Sequence, residues 1–258
     1  VLAMKVNPVT PQMVFWIVMA MVGARSAAMG FNRFADARID AQNPRTAGRE
    51  IPGGKITKGQ ALVFIIASSA LLVFSALMLS WLCFWLSFPL LALLFFYSYT
   101  KRFTWLAHIY LGVAIGLAPV AVWIAVAGVP GLSVILLSLA LVAHISGFDI
   151  LYACQDVDFD REKKLFSIPA RFGVKSAFRI SALLHMAAVI FLSAIYFTEG
   201  FGPFYFIFIA IISVLYIIEH RIVSPDDISN INIAFFHINS AISVLVFATI
   251  VTGMLTGA

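Results

Sequence analysis

A chain of 258 residues that is 62% hydrophobic and 11% charged, with a mean hydropathy of +1.01, lies far outside the range of water-soluble domains and reads as a polytopic membrane protein. Its net charge of +5 invites a nucleic-acid reading, but the basic residues fall where membrane topology requires them. The lipid bilayer is the expected partner, and no nucleic acid is.

The chain opens VLAMKVNP, with no initiator Met and no cleavable signal peptide, so native N-terminal sequence is expected to be missing. Crossing the hydrocarbon core as a helix takes about 20 apolar residues. Runs of that kind predict eight spans, at 11–31, 59–80, 82–99, 104–127, 132–153, 176–197, 203–218 and 231–257, with the boundary around Trp81 the least defined. The connections have only loop length, so residues 1–258 are expected to form one all-α membrane domain.

If the helices alternate in direction, the loops after the first, third, fifth and seventh share a side and carry the Lys and Arg, from Arg33 to Arg221. The opposite loops, near Trp81, at 128–131 and at 199–203, carry neither, which assigns the basic side to the cytoplasm.

At the end of the first span, GFNRFADARID sets Asn32, Asp36 and Asp40 four residues apart, along one face of a helix. At the end of the fifth, SGFDILYACQDVDFDREKK sets Asp149, Tyr152, Asp156 and Asp160 three, four and four apart, again on one face, with Asp158 on another. Like charges at that spacing repel unless a cation lies between them. Hard oxygen ligands suit Mg²⁺, which binds through one or two carboxylates plus water and substrate phosphates. The flanking Arg and Lys would neutralise the rest of a diphosphate's charge. The bland alternative is a set of solvated helix ends, which does not call for a repeated spacing on two helices.

Other features weigh less. Cys83 and Cys154 read as small apolar fillers. His108, His144, His185 and His237 lack metal-ligand spacing and read as hydrogen-bonded helix residues, with His144, five residues before Asp149, the one to test. GVAIG at 112–116 fits close helix packing, and Asp226 and Asp227 read as a cap for the last helix. The 24 Phe and the Trp residues supply apolar surface either for a ligand tail or for ordinary packing.

NRFADARID resembles the NxxxDxxxD motif, and DILYACQDVDFD the DxxYxxxDxxxD motif, of the UbiA superfamily of intramembrane prenyltransferases. NPRTAGREIPGG, YSYTKR and SIPARFG add to the likeness, which runs over nearly the whole chain and is nearest to the 4-hydroxybenzoate polyprenyltransferase branch and its menaquinone-pathway relatives. The resemblance implies helices ringed around a cavity capped by the motif loops, with a lateral opening for an isoprenoid tail. The family typically has nine transmembrane helices, so the first is expected to be absent here.

By the same resemblance Asn32, Asp36, Asp40, Asp156 and Asp160 would coordinate Mg²⁺ on the diphosphate of a polyprenyl donor, and a small aromatic acceptor would attack the ionised allylic carbon. Asp149 and Tyr152 would orient the diphosphate or assist deprotonation. Arg45, Arg49, Tyr97, Lys101, Arg102, Arg161, Lys164 and Arg171 are candidates for the phosphate vestibule. Arg25, two turns deeper than Asn32, would meet either the acceptor's carboxylate or an internal acid such as Asp149. The transporter alternative requires charges near the bilayer midplane on discontinuous helices.

Overall fold

The structure is a computed structural model that describes residues 1–256. Among the described residues it contains no strand, and eight helices are long and apolar enough to cross a membrane. They are α1 (Pro11–Asp40), α2 (Lys58–Leu79), α3 (Trp81–Thr100), α4 (Ala107–Ala127), α5 (Leu132–Glu162), α6 (Val174–Glu199), α7 (Tyr205–Ile222) and α8 (Ile231–Thr256). The eight predicted spans correspond one to one with these, except that residue 257 lies outside the described part.

Local chemistry explains the boundaries. Thr10 caps α1 by accepting from the Met13 amide, with Pro11 in the first turn, where its missing N–H costs nothing. Thr57 and Gln60 form a reciprocal capping box that starts α2. The uncertain boundary near Trp81 is a single residue: extended Ser80 ends α2 and caps α3 through the Cys83 amide. Gly200, at φ +65°, terminates α6 in the left-handed conformation that glycine adopts without strain.

Three expectations need correction. α1 continues nine residues past Phe31 to Asp40, so Arg33 and Arg38 belong to the helix and not to the loop after it. α5 is not one continuous α-helix: it tightens into a 3₁₀ turn at Cys154–Asp156 before resuming at Val157–Glu162. Asp227 does not cap α8, which starts at Ile231; its carboxylate accepts from the Ser229 amide, 2.9 Å away, and closes the preceding turn.

α1 packs on α2 and α3, α5 lies between α4 and α6, and α7 pairs with α8 against α6. The close approach of α4 to α5 comes from small residues: a Cβ on Gly112 would lie 2.1 Å from Ser146 Oγ and 2.6 Å from the Val142 carbonyl oxygen. Large side chains such as Trp81, Trp85, Phe197 and Phe247 point outward, as a bundle solvated by lipid requires. Cys154 is buried and Cys83 half-buried, and both are free thiols. His144 bonds to the Tyr216 hydroxyl at 2.9 Å and His185 to His220 at 3.2 Å, between α5, α6 and α7, with the buried Glu219 3.5 Å from His185 and apart from the motif acids.

Candidate active site

The ends of α1, α3 and α5 converge on a cleft roofed by the 41–57 loop. Asn32, Asp36 and Asp40 face it from α1, Tyr97 and Ser98 from α3, Lys101 and Arg102 from the turn that follows α3, and Asp149, Tyr152, Asp156 and Asp160 from α5. The four-residue spacing does place its members together, since Asn32 Nδ2 donates to Asp36 Oδ2 at 2.9 Å. On α5 the 3₁₀ turn leaves Asp156 and Asp160 on the cleft side, while Asp158 is exposed elsewhere.

The loop reaches back because of its first residues. Asn43, ahead of Pro44, is buried and accepts from the Arg45 amide through Oδ1 at 2.9 Å, forming a side-chain-closed turn. Thr46, also buried, donates to the Asp40 carbonyl at 3.1 Å. This folding aims Asn43 and Arg45 across the cleft at Asp156: Asn43 Nδ2 and Arg45 Nε each lie 3.0 Å from Asp156 Oδ1, and Arg45 Nη2 pairs with Oδ2. Arg45 also donates to the Tyr152 hydroxyl at 3.1 Å. Burial works against the Arg45 charge, but the hydrogen bond and charge of Asp156 outweigh it and hold its pKa above the ordinary value.

Each remaining arginine of the cleft holds another acid. Arg49 Nη1 is 2.7 Å from Asp40 Oδ1, and Arg102 Nη2 is 3.1 Å from Asp36 Oδ1 while its guanidinium lies over the Tyr99 ring. Five carboxylates thus face four cations. With the arginines folded inward the enclosed volume is about 160 Å³, well below the roughly 300–1,000 Å³ of ordinary ligand pockets. A ligand must displace guanidinium groups, and an anion is the ligand that can offer them a replacement partner.

The acids retain unused capacity. Asp40 and Asp160 are only 5% and 2% exposed, and Oδ2 of each is buried with no hydrogen-bond partner. Such orphaned oxygens on opposite walls are costly unless something positive reaches them. Among the described residues no three His, Cys, Asp or Glu could hold a metal by themselves. The donor set therefore fits an ion held by one or two carboxylates and completed by a ligand's own oxygens, the coordination that Mg²⁺ favours.

The family-model comparison fits this arrangement: the model described as the UbiA prenyltransferase family matches residues 1–241. The chain belongs to that family. A UbiA homolog from Aeropyrum pernix K1, solved in its apo form, superposes with a TM-score of 0.88 at 30% identity, covering 98% of this chain and 93% of the other. A UbiA homolog from Archaeoglobus fulgidus bound to GPP and Mg²⁺ shares the fold, with a TM-score of 0.70 at 17% identity over 98% of this chain and 91% of its own. A 4-hydroxybenzoate octaprenyltransferase of Psychrobacter arcticus is 30% identical over 169 residues, 63% of this chain and 54% of that protein. One from Pseudoalteromonas translucida is 34% identical over 170 residues, 65% and 58% of the two chains. The match thus spans little more than half the length of these UbiA-family relatives.

Not every predicted site residue enters the UbiA-family cleft. Arg161, Lys164 and Arg171 are exposed outside it; Arg161 donates to the Ala170 carbonyl, and Arg171 lies over the Phe172 ring. Arg25 is exposed and, together with Arg33 and Lys55, lines a second cavity of about 600 Å³ between α1, α2 and the loop. It makes no ion pair with Asp149, whose partner is His108. Sequence reasoning missed Asn43, Thr46, Ser98 and His108; the Asn-Pro step was the one available signal, marking a turn at Asn43.

Proposed function

We propose that the protein transfers a polyprenyl group from a polyprenyl diphosphate to a small aromatic acceptor, 4-hydroxybenzoate, in ubiquinone or menaquinone biosynthesis. The carrying observation is the pair of opposed acidic walls with orphaned oxygens on Asp40 and Asp160, interleaved with arginines that only an incoming anion can take over. The names of the 4-hydroxybenzoate octaprenyltransferase relatives and of the GPP-bound and DMAPP-bound homologs support the same reading.

In this mechanism Asn32, Asp36 and Asp40 on α1 and Asp156 and Asp160 on α5 would hold Mg²⁺, whose charge would make the diphosphate a better leaving group. Arg45, Arg49 and Arg102 exchange their carboxylates for phosphate oxygens and stabilise the negative charge that grows as the allylic C–O bond breaks. Closure of the 41–57 loop keeps water from the allylic cation, and the electron-rich ring attacks it instead. We place the protein in the bacterial inner membrane with the cleft toward the cytoplasm, consistent with the basic loops. Asp36, Asp40, Asp156 and Asp160 lie in the last turns of α1 and α5, which favours this reading over ion transport.

Binding tests the donor half directly. Purified protein is expected to bind geranyl S-thiolodiphosphate, a non-reacting donor analogue, in Mg²⁺ and to lose that binding in EDTA, as read by calorimetry; equal binding in both would reject the proposed metal set. Arg25→Ala is expected to leave the KM for a prenyl diphosphate unchanged, because Arg25 lies outside the acid cleft. A large rise in that KM would move Arg25 to the diphosphate.

A further inference from the structure

His108 is a lone histidine on α4, with its side chain fully buried, 41 residues from its partner in sequence. Its Nδ1 lies 2.6 Å from Asp149 Oδ2, while its Nε2 is buried with no hydrogen-bond partner. The tautomer follows from these contacts. A proton on Nε2 would bury an unsatisfied N–H and set the Nδ1 lone pair against a carboxylate oxygen, whereas a proton on Nδ1 makes a charge-assisted hydrogen bond and leaves only a weak acceptor unpaired. His108 therefore donates to Asp149. The carboxylate itself borders the cleft with 18% of its side chain exposed, and its second oxygen accepts no hydrogen bond among the described residues.

Depth assigns the use. Asp149 precedes Asp156 by seven residues on α5, which at 1.5 Å per residue is about 10 Å farther into the bundle. Asp36, Asp40, Asp156 and Asp160 mark the diphosphate level, so Asp149 stands at the level of the allylic carbon and the ring that attacks it. After the C–C bond forms, the substituted ring carbon still carries its hydrogen. That C–H bond breaks, its electron pair restores aromaticity, and the proton needs a nearby acceptor. The four other acids are tied to arginines or aimed at metal and phosphate.

The geometry points to His108 as a positioning residue that holds Asp149 by one oxygen and turns the other toward the acceptor ring, so that Asp149 takes the ring proton in the last step. The inference rests on the proposed function and adds to it the residue that orients Asp149, and so the choice of deprotonation over diphosphate binding as the role of that acid.

The test uses the full chain in membranes with geranyl diphosphate and 4-hydroxybenzoate, either protiated or deuterated at the two ring positions flanking the hydroxyl-bearing carbon. In the wild-type protein ring-proton loss is expected to be fast, so that deuteration leaves kcat unchanged. His108→Ala is expected to lower kcat about a hundredfold, leave the KM for the donor unchanged and make kcat sensitive to deuteration. His108→Asn, whose side-chain nitrogen stands where Nδ1 does and can still donate to Asp149, is expected to regain most of the rate and lose that sensitivity. A variant that loses rate with no isotope effect, or loses none, overturns the assignment. If the wild-type protein releases diphosphate but prenylates no aromatic acid, the proposed function fails and the proton-transfer role with it. The pairing is read separately without substrate: the carboxylate infrared band absent from Asp149→Asn shifts in His108→Ala, and an unmoved band overturns the positioning.

Discussion

Asp156→Asn is expected to abolish prenyl transfer, by about 10²–10³-fold or more, while the protein still inserts, extracts and melts like the wild type. The two effects separate because the substitution keeps the volume and an acceptor oxygen for Asn43 Nδ2 and Arg45 Nε, while it removes the charge and the second oxygen, which water replaces for Arg45 Nη2 at this half-open site. That charge is proposed to do two things: to hold Arg45 over the cleft until a phosphate replaces it, and then to help hold the metal. Asp156→Ala is expected to be equally inactive but less stable. It strips the partners from Arg45 and Asn43 together and leaves a partly buried guanidinium unpaired, a class of change that costs about 3–5 kcal/mol where the pair is fully buried and less at this half-open site. Diphosphate release and a melting curve for each variant check the pair of expectations. Full activity in Asp156→Asn would contradict the assignment.

Gly112→Val is expected to produce the largest loss of stability. The position faces the Val142 carbonyl and the Ser146 side chain on α5, and backbone cannot swing aside as a flexible side chain would. Overpacking of this kind costs about 1–3 kcal/mol, and the second close glycine, Gly116, sits one turn farther along the same contact, where an added Cβ would meet Val142 Cγ2 at 2.4 Å. Activity should fall as well, because His108 precedes Gly112 by one helical turn, and pushing α4 away from α5 separates His108 from Asp149. Thermal unfolding in detergent is the readout. Gly59→Ala is the control, since the nearest atom to its added Cβ is 3.9 Å away and the helix gains a better former. Equal melting temperatures for Gly112→Val and Gly59→Ala would contradict the packing argument.

What was legible in the sequence was whatever obeys a period. Eight apolar runs predict eight helices because the bilayer fixes their length, and the spacing of Asn32, Asp36 and Asp40 predicts a shared face because 3.6 residues make a turn. Contacts made by the return path of a loop follow no period. Arg45 lies 111 residues from Asp156, and only the Asn43 turn and the buried Thr46 bring it there. The α5 acids kept their face through a 3₁₀ turn, a local tightening that composition does not announce. Arg25 shows the opposite limit: a helical wheel puts it near Asn32, but it is two turns deeper and exposed, and it borders a different cavity. His108 was read as an ordinary hydrogen-bonded residue. It is one, but its partner is the first acid of the second motif, which no spacing rule could reveal.

The most direct measurement of the central claim is product formation by membranes containing this protein, given a short prenyl diphosphate and radiolabelled 4-hydroxybenzoate, with Mg²⁺ or with EDTA. Metal-dependent label in the organic phase is the expected result. Label from a naphthoate or futalosine-type menaquinone precursor in its place would keep the mechanism and change the pathway. No labelled product and no diphosphate release with any aromatic acceptor would contradict prenyl transfer by this cleft.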